Sequence, residues 1–302
     1  MKLLFWLEGN DAEFFQSSAM RLEQMYGEID MESFTSGNAT DSCMAGGRTL
    51  KFIPKENVKE EAYDVLLVVG KAATRERVLH EVRSLGLDDS KVLFDFEVML
   101  PGFTIEKANR LHRSRSSIFS INGWGRRLYQ RFRLPYLSPF IESVMTTEDW
   151  LTFLQAPQAH LSRELIYHEK IGTADGREFP VFRMGEEGLK VYFLYETDVK
   201  KIRRDWPERV KGINWGDLLL MMYTETPEYL DRFDRLPYGK KVCFTSFESR
   251  LDSAFYLPPE QDEEGENLPL WASVEKLAET EKPYYDLWDL LLYGKRTEAA
   301  QK

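Results

Sequence analysis

Residues 63–70 read YDVLLVVG, a short unbroken apolar run closed by glycine. Such a run, rich in β-branched residues and without polar alternation, predicts a strand buried on both faces, as in a parallel sheet. Downstream, residues 74–85 place Val78, Leu79, Val82 and Leu85 on one side of a helix, and Gly86 supplies the stop. KVLFDF (91–96) reads as the next strand. Upstream, KLLFWL (2–7) is a strand ending in the turn-former EGND, and residues 11–26 follow with helical character, Asp11 serving as the cap. Strand–helix alternation with short links predicts a Rossmann-like parallel sheet with helices packed on it. A dinucleotide fingerprint needs three glycines after the first strand. Here only Gly9 is present and Phe14 and Phe15 crowd the helix start, so the module reads as one for packing or partner contact, with nucleotide binding left open.

Composition sets the outer limits. The 302 residues, 43% hydrophobic and 30% charged, suit two globular domains. A net charge of −10 argues against a nucleic-acid binder. Two cysteines, Cys43 and Cys243, make no disulfide framework, so a reducing cytoplasm is the expected compartment. The opening MKLLFWLEGND is too short in its apolar stretch for a secretory signal, and no run approaches the ~20 apolar residues of a membrane helix.

The first domain is expected over residues 1–104, closing at LPGFT. A linking helix and a second, mixed α/β domain fill 105–257. An acidic loop (PPEQDEEGENLP), a docked C-terminal helix and a frayed tail fill 258–302. In the second domain KVYFLYE (190–196) and KKVCFTS (240–246) read as strands, and DVKKIRRDWPERVK (198–211) as a basic helix. The final helix, KPYYDLWDLLLYG (282–294), carries Pro283 near its start, the stripe Tyr284, Leu287, Trp288 and Leu291, and Gly294 at its end.

No P-loop, nucleophile elbow or zinc spacing is present, and the four histidines fall at no ligand interval. Chemistry is instead suggested by SINGWGRRLYQRFRLPYLSP (120–139), which gathers glycines, arginines and aromatics in an acidic chain. Gly123 and Gly125 can supply unusual backbone angles and an amide concavity for an anion. Arg126 and Arg127 suit phosphate or carboxylate, Asn122 offers an amide, and Trp124 and Tyr129 offer flat faces. The alternative is a structural loop with surface arginines. Between Glu106 and Arg133, Arg110, Arg113 and Arg115 read as a solvated helix face. A second basic cluster, 200–211, contains Arg209. If it meets the first, an electropositive cleft results, in which Asp205 or Asp217 binds sugar hydroxyls, holds a divalent cation with phosphates, or acts as a base. Core packing is the expectation for Trp215 more than for Trp206. No metal site of protein ligands alone is expected.

Four segments in order, 119–154, 205–219, 233–246 and 284–294, resemble the bacterial domain of unknown function 1919 family, commonly labelled "exopolysaccharide biosynthesis protein". The family's opening Asn-Asn-Cys-Trp-Gly-Gly stands here as Ile121, Asn122, Gly123, Trp124, Gly125 and Arg126, which excludes a cysteine nucleophile. Its Leu-Pro-Tyr-Leu-Ser-Pro matches 134–139. Its Trp-x-x-Arg-x-x-Arg-Ile-Asn matches at Trp206, Arg209, Ile213 and Asn214, with Gly212 in place of the second arginine. Where a histidine often follows the Phe-Leu strand, Tyr195 stands. The resemblance implies a cytoplasmic protein of surface-polysaccharide or glycoconjugate assembly, leaning towards a sugar-related transferase. The implied partner is a phosphorylated or nucleotide-activated sugar, held by Asn122, Trp124, Gly125, Arg126, Arg127, Arg209 and Asn214, with Asp205 and Asp217 as catalytic candidates. The competing expectation is a non-catalytic binding or scaffold protein of such a pathway. Peripheral contact with membrane-bound components through residues 107–133 is a third.

Overall fold

The computed structural model describes residues 1–8, 14–36, 42–45, 48–70, 75–173, 176–262, 264–280 and 283–297. The chain forms two compact units, Met1–Arg113 and Ser114–Lys302.

In the first unit the elements are β1 (Lys2–Leu7), α1 (Phe14–Tyr26), β2 (Asp30–Ser36), β3 (Ser42–Ala45), β4 (Arg48–Phe52), β5 (Val65–Val69), α2 (Arg75–Ser84), β6 (Val92–Phe94), α3 (Asp95–Met99) and α4 (Ile105–Ser114). They build a six-stranded sheet of order β3-β4-β2-β1-β5-β6, parallel except for the β3–β4 pair. The apolar run of residues 65–69 is the fully buried β5, paired on both sides by β1 and β6. Its core joins Leu4, Trp6, Leu66, Val68, Val78, Val82 and Phe94. Gly86 ends α2 in the left-handed region, at φ 70°. The strand read as KVLFDF stops at Phe94, because Asp95 and Phe96 already belong to α3. The helix read as a link is part of this unit: the Tyr26 hydroxyl accepts from Ile105 N–H, and His112 meets Glu97 at 3.1 Å. Asp11 and Gly9 lie outside the described residues.

The carboxyl edge of this sheet carries a buried charge cluster. Glu97 is fully buried and is bridged by Arg75 and by His112. Burial opposes its ionisation, but the Arg75 and His112 charges outweigh that and hold its carboxyl down at about 2.

The second unit contains β7 (Ser117–Ser120), α5 (Trp124–Arg131), α6 (Thr147–Gln155), α7 (Pro157–Leu161), β8 (Leu165–Gly172), β9 (Glu178–Met184), β10 (Lys190–Tyr192), α8 (Val199–Lys211), β11 (Leu218–Thr224), α9 (Pro227–Asp234), β12 (Lys241–Thr245), β13 (Ala254–Tyr256), α10 (Leu270–Leu277) and α11 (Leu287–Tyr293). Its four-stranded sheet is wholly parallel, in the order β13-β12-β11-β7. A three-stranded antiparallel sheet, β10-β9-β8, lies in the excursion between β7 and β11. Alternation along β7 sends Phe119 to an aromatic cluster with Phe140 and Phe153, while Ile118 and Ser120 face α5.

Strand β10 ends at Tyr192, shorter than the stretch read as extended. Helix α11 starts not at Pro283 but at Leu287, capped by the Asp286 carboxylate, and ends at Gly294 with φ 62°. Tyr284 therefore precedes the helix and is 36% exposed, whereas Leu287, Trp288 and Leu291 are buried. Among the described residues no helix is long and apolar enough to cross a membrane.

Candidate functional site

The carboxyl edge of the four-stranded sheet is where the unit gathers polar groups. Strand β7 ends at Ser120, and α5 begins at Trp124 after three intervening residues. Asn122 is buried, and its side-chain oxygen accepts from Ser120 Oγ at 3.1 Å and from the Trp124 N–H at 3.2 Å. The second bond satisfies the first N–H of α5 and fixes the amide's orientation, because only the oxygen can accept a backbone N–H. Asn122 Nδ2 is left buried with no hydrogen-bond partner among the described residues. A buried unpaired donor costs about 1–3 kcal/mol. Beside it, on the first turn of α5, Arg126 makes no ion pair among the described residues. Its guanidinium lies over the Tyr195 ring, 5.4 Å from the centroid.

Tyr195 joins this corner to α10. Its hydroxyl donates to Glu275 Oε1 at 2.8 Å, and Arg127 Nη2 donates to Oε2 of the same carboxylate at 2.8 Å. Burial, then the hydrogen bond to Glu275 and that residue's charge, push the Tyr195 hydroxyl well above the usual tyrosine range. Tyr223, at the end of β11, is raised by burial and then by the Glu275 charge. Arg127 reaches both Glu275 and Glu279, and Arg131 donates to the Ala278 carbonyl, so these arginines tie α5 to α10 and its C-terminal end. Trp271 lies one turn before Glu275 on the same side of α10 and is 50% exposed.

The glycines act by proximity and not by unusual angles. Gly123 sits in the ordinary helical region (φ −64°, ψ −6°), and a Cβ there would lie 2.5 Å from the Tyr195 hydroxyl. A Cβ at Gly125 would lie 2.9 Å from Ser120 Cβ, so that glycine lets α5 pack onto β7. The unusual backbone angles expected to shape an amide concavity are taken by neither glycine. Trp124 and Tyr129, read as stacking faces, are buried: Trp124 packs edge-on against Phe244, and Tyr129 accepts from the Ile118 N–H. Neither presents a face to a ligand.

Of the second basic cluster, Arg209 and Asp205 come near this corner. Glu142 connects them to it: its carbonyl accepts from Tyr195 N–H at 3.3 Å and its carboxylate holds Arg209 at 2.7 Å. Asp205 stands 3.8 Å from Arg209 and is bonded by Arg204, which keeps its carboxyl below the usual range. Asp217 and Asn214 are elsewhere. Ser117 N–H donates to the Asp217 carbonyl and Ile121 N–H to the Met221 carbonyl, so Asp217 lies four residues, about 13 Å, down the sheet at its amino edge. There Asp217 pairs with Lys240 at 2.5 Å, while Asn214 donates to Ser117 Oγ and the Ser114 carbonyl and accepts from Gly216 N–H. The expected single cleft is thus divided between two edges. Trp206 is the core tryptophan, packed on Phe140 and Phe193, while Trp215 is 37% exposed, the reverse of the sequence expectation. Among the described residues no group of three His, Cys, Asp or Glu side chains is placed to hold a metal ion.

Glu275 and Trp271 are absent from the sequence reading because α10 is. The signal was present: Leu270, Val274, Leu277 and Ala278 follow helical spacing after Pro269. It was masked by the acidic loop preceding it.

Residues 97–293 match the model of a family described as Domain of unknown function (DUF1919). The chain belongs to that family. It is also similar to an uncharacterized protein of Haemophilus influenzae, 23% identical over 139 residues, which cover 45% of this chain and 64% of that protein. The chain therefore spans less than two thirds of that relative's length. Within this DUF1919 chain, Asn122, Arg126, Tyr195 and Glu275 all lie inside the matched range.

Proposed function

We propose that the second unit binds a phosphorylated small molecule at the carboxyl edge of its parallel sheet and transfers a group to or from it. The observation that carries this is the buried, unpartnered Asn122 Nδ2 beside the uncompensated Arg126 at the start of α5. An anion placed there accepts from the Asn122 amide and from a forked guanidinium, and gains from the positive end of the helix. It removes the cost of a donor that is otherwise buried without a partner. Parallel sheets of this kind take ligands outside the carboxyl ends of their strands.

The Tyr195–Glu275 pair supplies the chemistry. A substrate hydroxyl reaching Tyr195 can pass its proton through the phenol to the Glu275 carboxylate, whose other oxygen Arg127 holds. Tyr195 occupies the place where the family resemblance expects histidine. Trp271, exposed one turn before Glu275 on α10, is the aromatic side chain we assign to the ring of a sugar or base attached to the phosphate. Taken with the resemblance, the reading is a transferase of surface-polysaccharide or glycoconjugate assembly acting on a phosphorylated or nucleotide-activated sugar.

A second reading, a binding protein without catalysis, is favoured by the full engagement of Glu275, whose two oxygens are already occupied by Tyr195 and Arg127. Thermal unfolding with inorganic phosphate, glucose 1-phosphate, UDP and UDP-glucose tests both. Stabilisation that Asn122→Ala and Arg126→Ala each abolish supports the anion site. Turnover lost in Tyr195→Phe supports the transferase. Stabilisation without turnover supports the binding protein, and no stabilisation by any of the four refutes the site.

A further inference from the structure

At the amino edge of the same sheet a groove of about 590 Å³ runs between the α6–α7 junction, the turn into β11 and the loop before β12. We propose that it binds a neutral polyhydroxylated ring, a sugar unit of a glycan, independently of the anion corner at the other edge.

Charge decides against an ionic ligand. Among the described residues, Asp217 and Lys240 are the only charged side chains lining the groove, and they neutralise each other at 2.5 Å. The second Asp217 oxygen is held by Ser116 Oγ at 2.5 Å. What the groove offers instead is two aromatic side chains, Trp215 and Tyr238, and uncharged hydrogen-bonding groups. Trp215 is 37% exposed, and its indole meets Phe119 edge-to-face at 6.1 Å, so the core fixes the ring while part of it stays open. Gln155 and Gln158 are exposed, and neither side-chain amide has a hydrogen-bond partner among the described residues. Apolar C–H faces on an aromatic ring, with hydroxyls bonded by amides and a fixed ion pair, are the complement of a pyranose. A few convergent polar groups in a largely apolar cleft are also the usual make-up of a small-molecule site.

The groove is also held in shape. Tyr238 donates to the Leu154 carbonyl at 2.9 Å, tying the loop before β12 to α6. Asn214 bonds the Ser114 and Arg115 carbonyls and accepts from Gly216 N–H, setting the turn that carries Trp215. A preformed site avoids the cost of ordering loops on binding.

The test is saturation-transfer NMR and calorimetry on the full chain with maltotriose, cellotriose and N,N′,N″-triacetylchitotriose, and with glucose 6-phosphate as the charged counterpart. The expected result is binding of at least one neutral trisaccharide, weakened about tenfold in Trp215→Ala, largely retained in Trp215→Phe and unchanged in Asn122→Ala. Because Trp215 touches Phe119, the pair Gln155→Ala and Gln158→Ala provides a second set on the exposed rim, with a several-fold loss expected and no change in unfolding midpoint. Three results would overturn the proposal: no neutral trisaccharide binding, binding indifferent to both Trp215→Ala and the glutamine pair, or glucose 6-phosphate binding where neutral sugars do not.

Discussion

Gly123→Ala probes the corner where β7, α5 and α10 converge. The backbone at Gly123 is helical, so alanine meets no angular strain, and the loss of unfolded-chain freedom favours it by about 0.4–1 kcal/mol. The methyl group, however, would lie 2.5 Å from the Tyr195 hydroxyl, 2.8 Å from Cζ and 2.9 Å from Cε2. Carbon contacts settle near ~3.5–4.0 Å, so the ring must retreat by about 1 Å. That takes the hydroxyl beyond bonding distance of Glu275, now 2.8 Å away, and moves the ring from under Arg126. A hydrogen bond to a charged group is worth about 1.5–3 kcal/mol and the partly exposed cation–π contact about 0.5–1 kcal/mol. The net expectation is a destabilisation of about 1–3 kcal/mol, or roughly 2–12 °C for a unit of this size. Circular dichroism melting measures it, with Gly172→Ala as control, since a Cβ there meets nothing within 4 Å. In a Tyr195→Ala background, where both contacts are already gone and the clash is absent, Gly123→Ala should cost little or nothing. If Gly123→Ala melts at or above the wild type, Tyr195 does not stand against that glycine, and the geometry drawn for the corner is wrong.

Three further outcomes are expected. Arg209→Ala leaves Glu142 half-buried without its guanidinium, and urea titration should show a loss of about 1–3 kcal/mol, larger than for the exposed Arg204→Ala. Glu97 ionises far below the ordinary glutamate range. Its contribution is full above about pH 4.5 and fades as pH falls towards about 2, so the first unit should lose on the order of 3 kcal/mol over that window, and Glu97→Gln should flatten the dependence. Trp288→Ala empties a fully buried site whose ring meets Phe132 at 5.1 Å, and a cost of about 3–5 kcal/mol is expected in the same titration.

The sequence made the first sheet legible because burial on both faces leaves an unmistakable trace in residues 65–69 and 2–7. Helix stops were legible where a glycine must take a positive φ, as at Gly86 and Gly294. The site was only half legible. Asn122 and Arg126 stand four residues apart just after the end of β7, and local spacing suffices to pair them. Tyr195 and Glu275 meet across 80 residues, and no periodicity encodes that contact. Trp124 misled because a tryptophan beside glycines resembles a ligand platform, whereas the glycines here exist to let the helix sink onto the strand and carry the indole into the core. Asp217 misled because nearness to the basic helix in sequence conceals which edge of the sheet a residue occupies.

The in-order arrangement of the second sheet has a temporal side. Ser117 of β7 pairs with Leu218 of β11, and β12 and β13 come later still. At roughly 5–20 residues per second, β7 leaves the ribosome about 5–20 s before any partner strand has been made. During that interval its backbone groups are an open edge on which another nascent chain can pair. The speed of translation through the excursion between β7 and β11 therefore bears on the yield of folded protein as directly as any contact within the finished sheet.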